Sequence, residues 1–398
     1  MRVLHTSDWH LGRSFHQVGL LDAQARFVDF LVALVRAERI GAVLVAGDVY
    51  DRALPSPDTV ALLDEALTRL VDAGAAVVMS SGNHDSAIRL GFGAGLFGRA
   101  GVHIRSSPSS VGSPVLLDGL TVYPLPFLEP SVVAATLRAT ERSHAAVLAA
   151  AMARVHADLA TRSGPSVVMA HAFVAGGAAS DSERDIAVGG VGVVPASLFD
   201  GVSYAALGHL HRAQQLSDRV GYCGSPLAMS FGEAGQTKAV TLLQVGADGS
   251  VAREAVATPV PRVLARLRGD LQDLLVDPAV GWAEPAWCEI VLTDATRQLG
   301  AFDRLRRRFP HLLSLDFDPQ GASALPARRY AGRAVSSRSP LEVCCDFLAH
   351  VRGGAAATAA ERAALNEALD ATRVDGVREE AGEARATESV NAPRRVVA

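Results

Sequence analysis

The stretch AVLVAGDVYDR, residues 42–52, joins a short apolar segment to a pair of carboxylates. Its first part, Ala42–Ala46, lacks the polar alternation of a half-exposed strand, which is typical of a strand covered on both faces. Asp48 and Asp51 follow at the carboxyl end of this predicted strand. Open α/β sheets bind ligands outside the carboxyl ends of their strands. The stretch therefore predicts an α/β fold with a polar site at one sheet edge.

The same alternation of strands and helices continues on both sides of this stretch. Amphipathic helices are predicted at Leu21–Glu38 and at Pro57–Asp72, the second opened by Ser56 as its N-cap. One long alanine-rich helix is predicted from Ser131 to Arg162, and the glycine-rich segment Gly176–Gly192 is interpreted as a long functional loop. Strands are predicted at Val3–Thr6, Ala75–Ser80, Leu120–Tyr123, Ser166–Ala170, Tyr204–Leu207, Arg219–Cys223 and Ala239–Val245.

Composition restricts the class of protein. At 398 residues, 49% of them hydrophobic, the chain has the length and composition of a globular protein with more than one domain. Its net charge of -4 does not favour nucleic acid or an anionic membrane as partner, although a local basic face remains compatible with it. Signal-peptide and membrane-spanning patterns are missing, and the cysteines show no CxxC pairing, so we expect a reduced, cytoplasmic protein.

Polar residues capable of binding a metal follow five of the predicted strands. Each group alone, such as SDWHLG or SGNHDS, would pass for a turn or a helix cap. Together they supply histidine, carboxylate and amide ligands without cysteine, a set that suits Mn²⁺, Fe²⁺ or Zn²⁺. The ligands are too many for one ion. Two ions about 3.5–4 Å apart that share a carboxylate would use them and would support phosphoester hydrolysis.

The order DxH, GDxxD, GNHD, H and GHxH resembles the calcineurin-like metallophosphoesterase superfamily. The flanking segments LHTSDWHLGR, VAGDVYDR, SGNHDS, ALGHLHRAQ and YCGSPLAMSFGE are similar to those of the SbcD nucleases, the bacterial members of the Mre11 family. The resemblance is specific to about Val245 and weaker beyond it. It implies a four-layer α/β-β/α sandwich, a smaller α/β capping domain and a C-terminal helical hairpin.

The resemblance also implies a role for each polar residue. His84 would not bind metal but would face the scissile phosphate, stabilise its charge and protonate the leaving oxygen. Asp51, having no metal to hold, is predicted to orient the His84 ring through its carboxylate. A water or hydroxide between two divalent ions, expected to be Mn²⁺ with Mg²⁺, Fe²⁺ or Zn²⁺ as alternatives, would be the nucleophile. The implied ligands are Asp8, His10, Asp48 and His211 for the first ion, and Asp48, Asn83, His171 and His209 for the second.

Some neighbouring residues keep two interpretations. His5 lies inside the first strand, where a packed and hydrogen-bonded histidine is favoured over a ligand. Asp85 would serve either as a support for the ligands or as the last polar residue of its turn. Arg13 and Arg52 could touch phosphate, although exposure to solvent explains them as well.

The chain is predicted to divide into four parts. A metallophosphoesterase (nuclease) domain covers 1–257, and a linker at Thr258–Pro261 leads to a capping domain at 262–335. The cap is expected to contain strands at Trp287–Leu292 and Leu313–Phe317 and a helix near Leu299–Phe309. A helical partner-binding segment covers 336–375, with capping boxes at 339–342 and 358–361, and a tail at 376–398 is expected to be disordered.

Two of these parts suggest macromolecular partners. An arginine-rich face of the cap would follow DNA phosphates, unless it is an ordinary solvated surface; its members are Arg306, Arg307, Arg308, Arg328, Arg329 and Arg333. The resemblance implies that the two C-terminal helices grip the coiled coil of an SbcC-type ATPase, whereas packing on their own cap is the alternative. No Walker-type phosphate loop occurs, so this chain has no ATP site of its own.

The function expected from the resemblance is that of a Mn²⁺-dependent DNA nuclease subunit. It would act as double-strand exonuclease and single-strand or hairpin endonuclease in a complex that processes double-strand breaks, as a homodimer within a heterotetramer. One alternative is another calcineurin-like phosphodiesterase or phosphatase with a non-DNA substrate. Another is a DNA-tethering scaffold with a vestigial site, against which the filled ligand positions argue.

Overall fold

The computed structural model describes residues 1–180, 192–296, 298–319, 339–351 and 356–369. Helices α1–α9 cover Leu21–Glu38, Pro57–Asp72, Ala87–Leu90, Ala94–Phe97, Pro130–Leu137, His144–Leu159, Leu271–Val276, Ala301–Arg308 and Pro340–Val351. Strands β1–β19 cover Arg2–Thr6, Ser14–Phe15, Val18–Gly19, Ala42–Ala46, Ala76–Ser80, Val102–Arg105, Val115–Leu117, Leu120–Pro124, Ser166–His171, Phe173–Val174, Val193–Val194, Tyr204–Gly208, Gln214–Ser217, Val220–Tyr222, Ala239–Val245, Val251–Ala257, Leu264–Gly269, Trp287–Leu292 and Leu312–Phe317.

Two six-stranded sheets form the body of the molecule. The first has the strand order β16-β15-β1-β4-β5-β6, and the second has the order β13-β14-β12-β9-β8-β7. In the first sheet β1, β4, β5 and β6 run parallel, and in the second β8, β9, β12 and β14 do. Parallel strands deliver their carboxyl ends to one edge, so the loops after β1, β4, β5, β9 and β12 are able to meet.

The sheets stack face to face, and a pair of helices covers each outer face. Side chains of β1, β4 and β5 pack against side chains of β8, β9 and β12 in the layer between the sheets. Helices α1 and α2 cover the first sheet, and helices α5 and α6 cover the second. This α/β-β/α layering confirms the predicted fold class, and it explains why the central strands are apolar on both faces.

A smaller three-stranded parallel sheet follows, with the order β17-β18-β19 and helices α7 and α8 against one face. Its Trp287 packs on Phe15 of the β2–β3 hairpin, with ring centroids 5.5 Å apart, and Phe231 lies 5.0 Å from the same Phe15 ring. The small sheet is therefore anchored on the hairpin that directly follows the DxH motif. Both belong to one compact unit, residues 1–320, so the domain boundary predicted at 258–261 stays a prediction.

The second compact unit, residues 321–398, contains α9 and a further helix over 359–369. Both predicted capping boxes are confirmed. Ser339 Oγ accepts from the Glu342 backbone N–H at 3.3 Å while Glu342 accepts from the Ser339 N–H at 2.8 Å, and Thr358 and Glu361 repeat both distances. None of the described helices is long and apolar enough to cross a lipid bilayer.

The single long helix predicted from Ser131 to Arg162 is wrong. The structure has two helices there, α5 and α6, because Arg138 turns into the left-handed region at φ 58° and ends α5. Ser143 then caps α6 by accepting a hydrogen bond from the Ala146 N–H. The alanine-rich composition gave no sign of this interruption.

Strand β17, in the cap, was not predicted. Residues 181–191 of the predicted loop and the whole predicted tail lie outside the described residues.

Candidate metal centre

The loops after β1, β4, β5, β9 and β12 bring all the predicted ligands to one edge shared by both sheets. The first sheet supplies those after β1, β4 and β5, and the second sheet supplies those after β9 and β12. Asn83, like the neighbouring His84, is half-buried, whereas the other predicted ligands are almost completely buried: Asp8, His10, Asp48, His171, His209 and His211.

One group of donors surrounds His10. The ligand atoms of Asp8, His10 and His211 all lie within 4.8 Å of one another. His10 Nε2 is 3.2 Å from His211 Nε2 and 3.5 Å from Asp48 Oδ2. The first predicted ligand set is therefore brought together.

A second group lies on the other side of Asp48. His171 Nε2 is 3.4 Å from Asp48 Oδ2 and 3.0 Å from Asn83 Oδ1. The His209 ring lies next to that of His171, with centroids 5.2 Å apart. Asp48 Oδ2 thus lies between the two groups, 3.5 Å from His10 Nε2 and 3.4 Å from His171 Nε2, so Asp48 is the residue that could contribute to an ion on either side.

Several of these donors lie on strained backbone. Asp8, His10, Asp48 and His209 adopt positive φ angles of 53°, 43°, 49° and 101°. Such conformations are unfavourable for residues with a Cβ atom and persist where the surrounding structure enforces them. Here the Asp8 N–H donates to the Gly47 carbonyl and the His10 N–H donates to the Asp48 carbonyl, both at 3.0 Å. The turns after β1 and β4 therefore hold each other.

The glycine of each motif permits a close approach at the site. A Cβ atom on Gly47 would lie 2.3 Å from His171 Nδ1, and one on Gly82 would lie 2.1 Å from Asp48 Oδ1. A Cβ atom on Gly208 would lie 1.9 Å from the Ala46 carbonyl oxygen. These distances are far below van der Waals contact, so GDxxD, GNHD and GHxH need glycine for packing against one another.

His84 lies at the exposed side of the centre. Its backbone N–H donates to Asp48 Oδ1 at 2.9 Å, its Nδ1 is 2.9 Å from the Asp51 carbonyl oxygen, and its Nε2 is 4.0 Å from Asp48 Oδ2. The side chain is 38% exposed. The His84 ring is therefore fixed at Nδ1, and its Nε2 lies between the metal-binding side chains and solvent.

The predicted pairing of the Asp51 carboxylate with His84 is wrong. Asp51 contacts His84 through its backbone carbonyl, whereas its carboxylate lies 3.4 Å from His10 Nδ1 and accepts from Arg13 at 3.0 Å. The turn after β4 instead places the Asp51 carboxylate next to Nδ1 of His10. Despite its burial, the contacts with His10 and Arg13 hold the pKa of Asp51 below its usual range.

Buried charges set the protonation of the donors. Burial alone would raise the pKa of Asp48, but the imidazoles of His171, His10 and His84 hold it well below its usual range. Burial likewise opposes charge on His171, yet Asp48 raises its pKa to about 9. Burial lowers the pKa of His209 to about 3. Without a cation the centre thus keeps a proton on His171 at neutral pH, which a metal ion would displace.

The residues present fit divalent metal ions. His209 Nε2 is buried and has no hydrogen-bond partner among the described residues, a costly arrangement that a bound cation would relieve. His171 Nδ1 lies 3.0 Å from the Ala46 carbonyl oxygen, to which its N–H donates. The lone pair of Nε2 is therefore the one that could bind a metal ion. Nitrogen and oxygen donors without thiolate favour Mn²⁺, Fe²⁺ or Zn²⁺.

Supporting residues also appear that the sequence left open or missed. The Asp85 carboxylate accepts from the Gly82, Val49 and Tyr50 N–H groups at 2.8–3.1 Å, so it joins the loops after β4 and β5. Burial, with the neighbouring charge of Asp48, raises the pKa of Asp85 to about 6. Gln24, on α1, donates to the His10 carbonyl at 2.7 Å. A polar residue on the buried face of an amphipathic helix was the available signal for Gln24.

Two further supports, Glu233 and Lys238, lie behind His211 and are almost completely buried. Lys238 is the one lysine of the sequence, and it stands beside the apolar strand β15. A charged residue in that setting was the signal that could have identified it.

The predicted DNA-contacting arginines differ in their surroundings. Arg306 is exposed and lies over the Phe302 ring at 5.7 Å, and Arg307 is exposed beside a groove of about 510 Å³. Arg308 instead bonds Glu284 Oε1 and two backbone carbonyls of the cap at 2.7–3.0 Å. These contacts argue against Arg308 as a phosphate contact, because its donors already stabilise the cap. Arg328, Arg329 and Arg333 lie outside the described residues.

His5, the histidine inside the first strand, is buried, and its Nε2 lies 3.1 Å from the Leu207 carbonyl oxygen. It is therefore a packed and hydrogen-bonded histidine, as expected.

Two parts of the chain are similar to known protein families. A family profile described as calcineurin-like phosphoesterase matches residues 1–213, more than half of the chain. A second profile, that of the SbcD C-terminus, described as type 5 capsule protein repressor C-terminal domain, matches residues 260–352. Among solved structures, TT1561 of Thermus thermophilus is similar at 13% identity and a TM-score of 0.36, over 64% of this chain and 98% of that chain. The chain therefore belongs to the calcineurin-like phosphoesterase family, and its C-terminal domain makes it an SbcD-type protein of the Mre11 group.

Proposed function

We propose that this chain is the Mn²⁺-dependent DNA nuclease subunit of an SbcCD-type complex that processes DNA double-strand breaks. It would cleave double-stranded DNA as an exonuclease and single strands or hairpins as an endonuclease. The observation that carries the proposal is the position of His84, which is fixed by Asp48 and the Asp51 carbonyl at the open side of the cluster formed by Asp8, His10, Asp48, His171 and His211. The match to an SbcD-type C-terminal domain favours DNA as the substrate.

The residues of the chain divide the work of phosphodiester hydrolysis. Asp8, His10, Asp48 and His211 would hold one ion, and Asp48, Asn83, His171 and His209 the other. When bound, two such ions polarise the phosphodiester and activate water. With Nδ1–H donating to the Asp51 carbonyl and a second proton on Nε2, the His84 ring would stabilise the charge of the transition state, give the Nε2 proton to the leaving oxygen and become neutral.

Mn²⁺ is the metal we propose. The donor set mixes imidazole, carboxylate and one amide oxygen, and Asn83 and His84 leave its outer side accessible. Mn²⁺ accepts such mixed N/O donors in open coordination, whereas Mg²⁺ prefers oxygen donors and retains water. Fe²⁺ and Zn²⁺ fit the same donors.

The partners are DNA and an SbcC-type coiled-coil ATPase. In the division proposed above, Arg306 and Arg307 of the cap (262–335) would follow DNA phosphates next to the nuclease domain (1–257), with binding that weakens at high salt. Helix α9 and the helix over 359–369, within the segment 336–375, would bind the ATPase; Phe347 of α9 is exposed and offers an apolar contact. ATP would act through that partner, and the complex would work in the cytoplasm.

We further propose a homodimer within this complex. Large apolar side chains are exposed around α3 and α4, just after the GNHD motif; this apolar face consists of Leu54, Ile88, Phe92, Leu96 and Phe97. Ile88 is 87% exposed and Phe92 is 80% exposed. Large apolar side chains exposed so close together along the chain, four of them within residues 88–97, favour a protein–protein contact. A second copy of the chain is the partner we expect there.

Three substrates tested in parallel with Mn²⁺ examine the proposal. We expect hydrolysis of bis-p-nitrophenyl phosphate and degradation of linear duplex DNA, with little hydrolysis of p-nitrophenyl phosphate. A dianionic monoester needs extra cationic groups, and Arg13, the arginine beside the centre, is already paired with the Asp51 carboxylate at 3.0 Å. Preference for the monoester would contradict the nuclease assignment and favour a phosphatase. Hydrolysis of the small diester without any DNA cleavage, with the ATPase present, would favour a phosphodiesterase with another substrate.

A further inference from the structure

Two buried side chains of opposite charge lie behind His211, on the side away from the other donors. Glu233 is 1% exposed and Lys238 is 5% exposed, and the Glu233 carboxylate forms an ion pair with the Lys238 ammonium group. A buried ion pair contributes little to stability compared with apolar side chains of the same size, because both charges lose their hydration. We therefore look for a role of the pair other than stabilising the fold.

The contacts of the pair converge on His211. Lys238 Nζ donates to the His211 carbonyl at 2.8 Å and to Ser225 Oγ at 3.0 Å. Glu233 Oε1 lies 3.6 Å from His211 Nδ1 and is itself held by the Met229 N–H at 3.2 Å. His211 is thus held both at its backbone and at the far nitrogen of its ring. Its Nε2 is left to point at His10 Nε2, 3.2 Å away.

The other donor group is supported differently. The far nitrogen of His171 faces a backbone carbonyl, that of Ala46, at 3.0 Å. A carboxylate behind a ligating histidine makes the imidazole a stronger donor and fixes its orientation, and loss of such a carboxylate weakens metal binding about 10–100-fold. The Glu233–Lys238 pair therefore acts on one donor group and not on the other.

We propose that Glu233 and Lys238 are positioning residues for His211, and that they set the metal affinity of the group formed by Asp8, His10 and His211 without setting that of Asn83, His171 and His209. Glu233 orients the ring, and Lys238 both neutralises Glu233 and fixes the His211 carbonyl. The inference rests on the proposed two-ion function. It adds that the two ions depend on different supports.

Metal content of the purified full-length chain tests the inference. The variants are Glu233→Gln, which keeps the shape of the side chain, and Glu233→Gln/Lys238→Met, which removes both charges. Glu289→Gln is the matched control, since Glu289 forms an exposed ion pair with Arg266 at 2.6 Å in the cap. Each protein is loaded with Mn²⁺, passed over a desalting column and analysed for manganese. Its electron paramagnetic resonance spectrum then distinguishes a coupled ion pair from an isolated ion.

We expect a coupled pair of ions in the unmodified chain and in Glu289→Gln. Both Glu233 variants should retain one isolated Mn²⁺ and bind the second about 10–100-fold more weakly. The double variant serves in case a lone buried Lys238 charge prevents folding or repels the ion. A folded Glu233 variant with two ions at unchanged affinity, or with equal loss of both, would overturn the inference. Fewer than two ions in the unmodified chain would instead contradict the two-ion proposal itself.

Discussion

At the scale of a single residue, one backbone contact determines which ring nitrogen of His84 faces the open side of the centre. The sequence places His84 between the proposed ligand Asn83 and the supporting Asp85 in GNHD, yet its role depends on which of its ring nitrogens faces the open side of the centre. The Asp51 carbonyl occupies Nδ1 at 2.9 Å, so Nε2 is the nitrogen left toward the open side of the centre. This arrangement predicts a residue needed for the reaction but not for the metals.

We expect His84→Gln to abolish cleavage while leaving the metal content unchanged. Glutamine keeps the approximate size of histidine but transfers no proton, and loss of a general acid costs about 10²–10⁴-fold in rate. His156→Gln is the matched control, because His156 is a half-buried histidine on α6 that belongs to none of the motifs. The measurements are duplex DNA cleavage and manganese content. Cleavage by His84→Gln at the normal rate would remove His84 from the mechanism.

Gly208 is a second residue at which one close contact limits the possible side chains. We expect Gly208→Ala to lower the free energy of unfolding by at least about 1–3 kcal/mol, since its methyl group would lie 1.9 Å from the Ala46 carbonyl oxygen. The two sheets would have to separate there, and metal binding should weaken as well. Chemical denaturation followed by circular dichroism measures the change. Gly95→Ala, whose methyl group meets nothing within 4 Å, is the control and should be nearly neutral.

At the scale of elements, the sequence was most informative where strands are buried on both faces. The strands β4, β5 and β12 are unbroken apolar runs, and polar motifs mark their carboxyl ends, so an α/β fold with a polar site at one sheet edge followed from local pattern. The four-layer arrangement and the role of each site residue came from the family resemblance. The break between α5 and α6 was missed because alanine on both sides favours a continuous helix, and residues 138–143 contain neither glycine nor proline to signal an interruption. The orientation of the Asp51 carboxylate depends on contacts between distant turns. Such contacts leave no local pattern.

Strand β1 carries a buried histidine that should make the fold sensitive to acid. Burial lowers the pKa of His5 to about 4 from its ordinary 6.5, and its Nδ1 has no hydrogen-bond partner among the described residues. Between pH 6.5 and pH 4 the unfolded chain therefore binds a proton that the folded chain does not. Stability contributed by neutral His5 is complete above pH 6.5 and is lost as the pH falls toward 4, up to about 3 kcal/mol.

The variant His5→Gln isolates this effect. We expect the difference in unfolding free energy between the unmodified chain and His5→Gln to change by about 2–3 kcal/mol between pH 7 and pH 4.5, in favour of the variant at the lower pH. Urea denaturation with a chelator present excludes the contribution of metal release. A difference that is constant over this range would show that His5 becomes charged without cost inside the folded chain.

At the scale of the whole molecule, the apolar face around α3 and α4 has a direct consequence. We expect Ile88→Glu/Phe92→Glu to convert a dimer into a monomer of 41.5 kDa, because each copy would place charges at the centre of the contact. Light scattering after gel filtration gives the mass. Leu116→Glu is the control, since Leu116 is 62% exposed on β7, outside this face. Hydrolysis of bis-p-nitrophenyl phosphate should persist in the monomer.

An unchanged mass of the double variant would contradict the proposed face, and a 41.5 kDa mass of the unmodified chain would contradict the dimer itself. Loss of duplex cleavage with retained hydrolysis of the small diester would show that two copies act together on long DNA. These outcomes separate assembly from the chemistry of the metal centre.

The single lysine also turns this chain into its own reporter of local opening. A lysine-specific protease has one target in the sequence, the bond after Lys238, and that bond leads directly into β15, next to β1 in the first sheet. Because Lys238 is buried behind His211, a cut at this bond requires the back of the centre to come apart. The native-state cleavage rate would therefore measure the opening free energy of this one region, with and without manganese, and no surface loop would contribute to the signal.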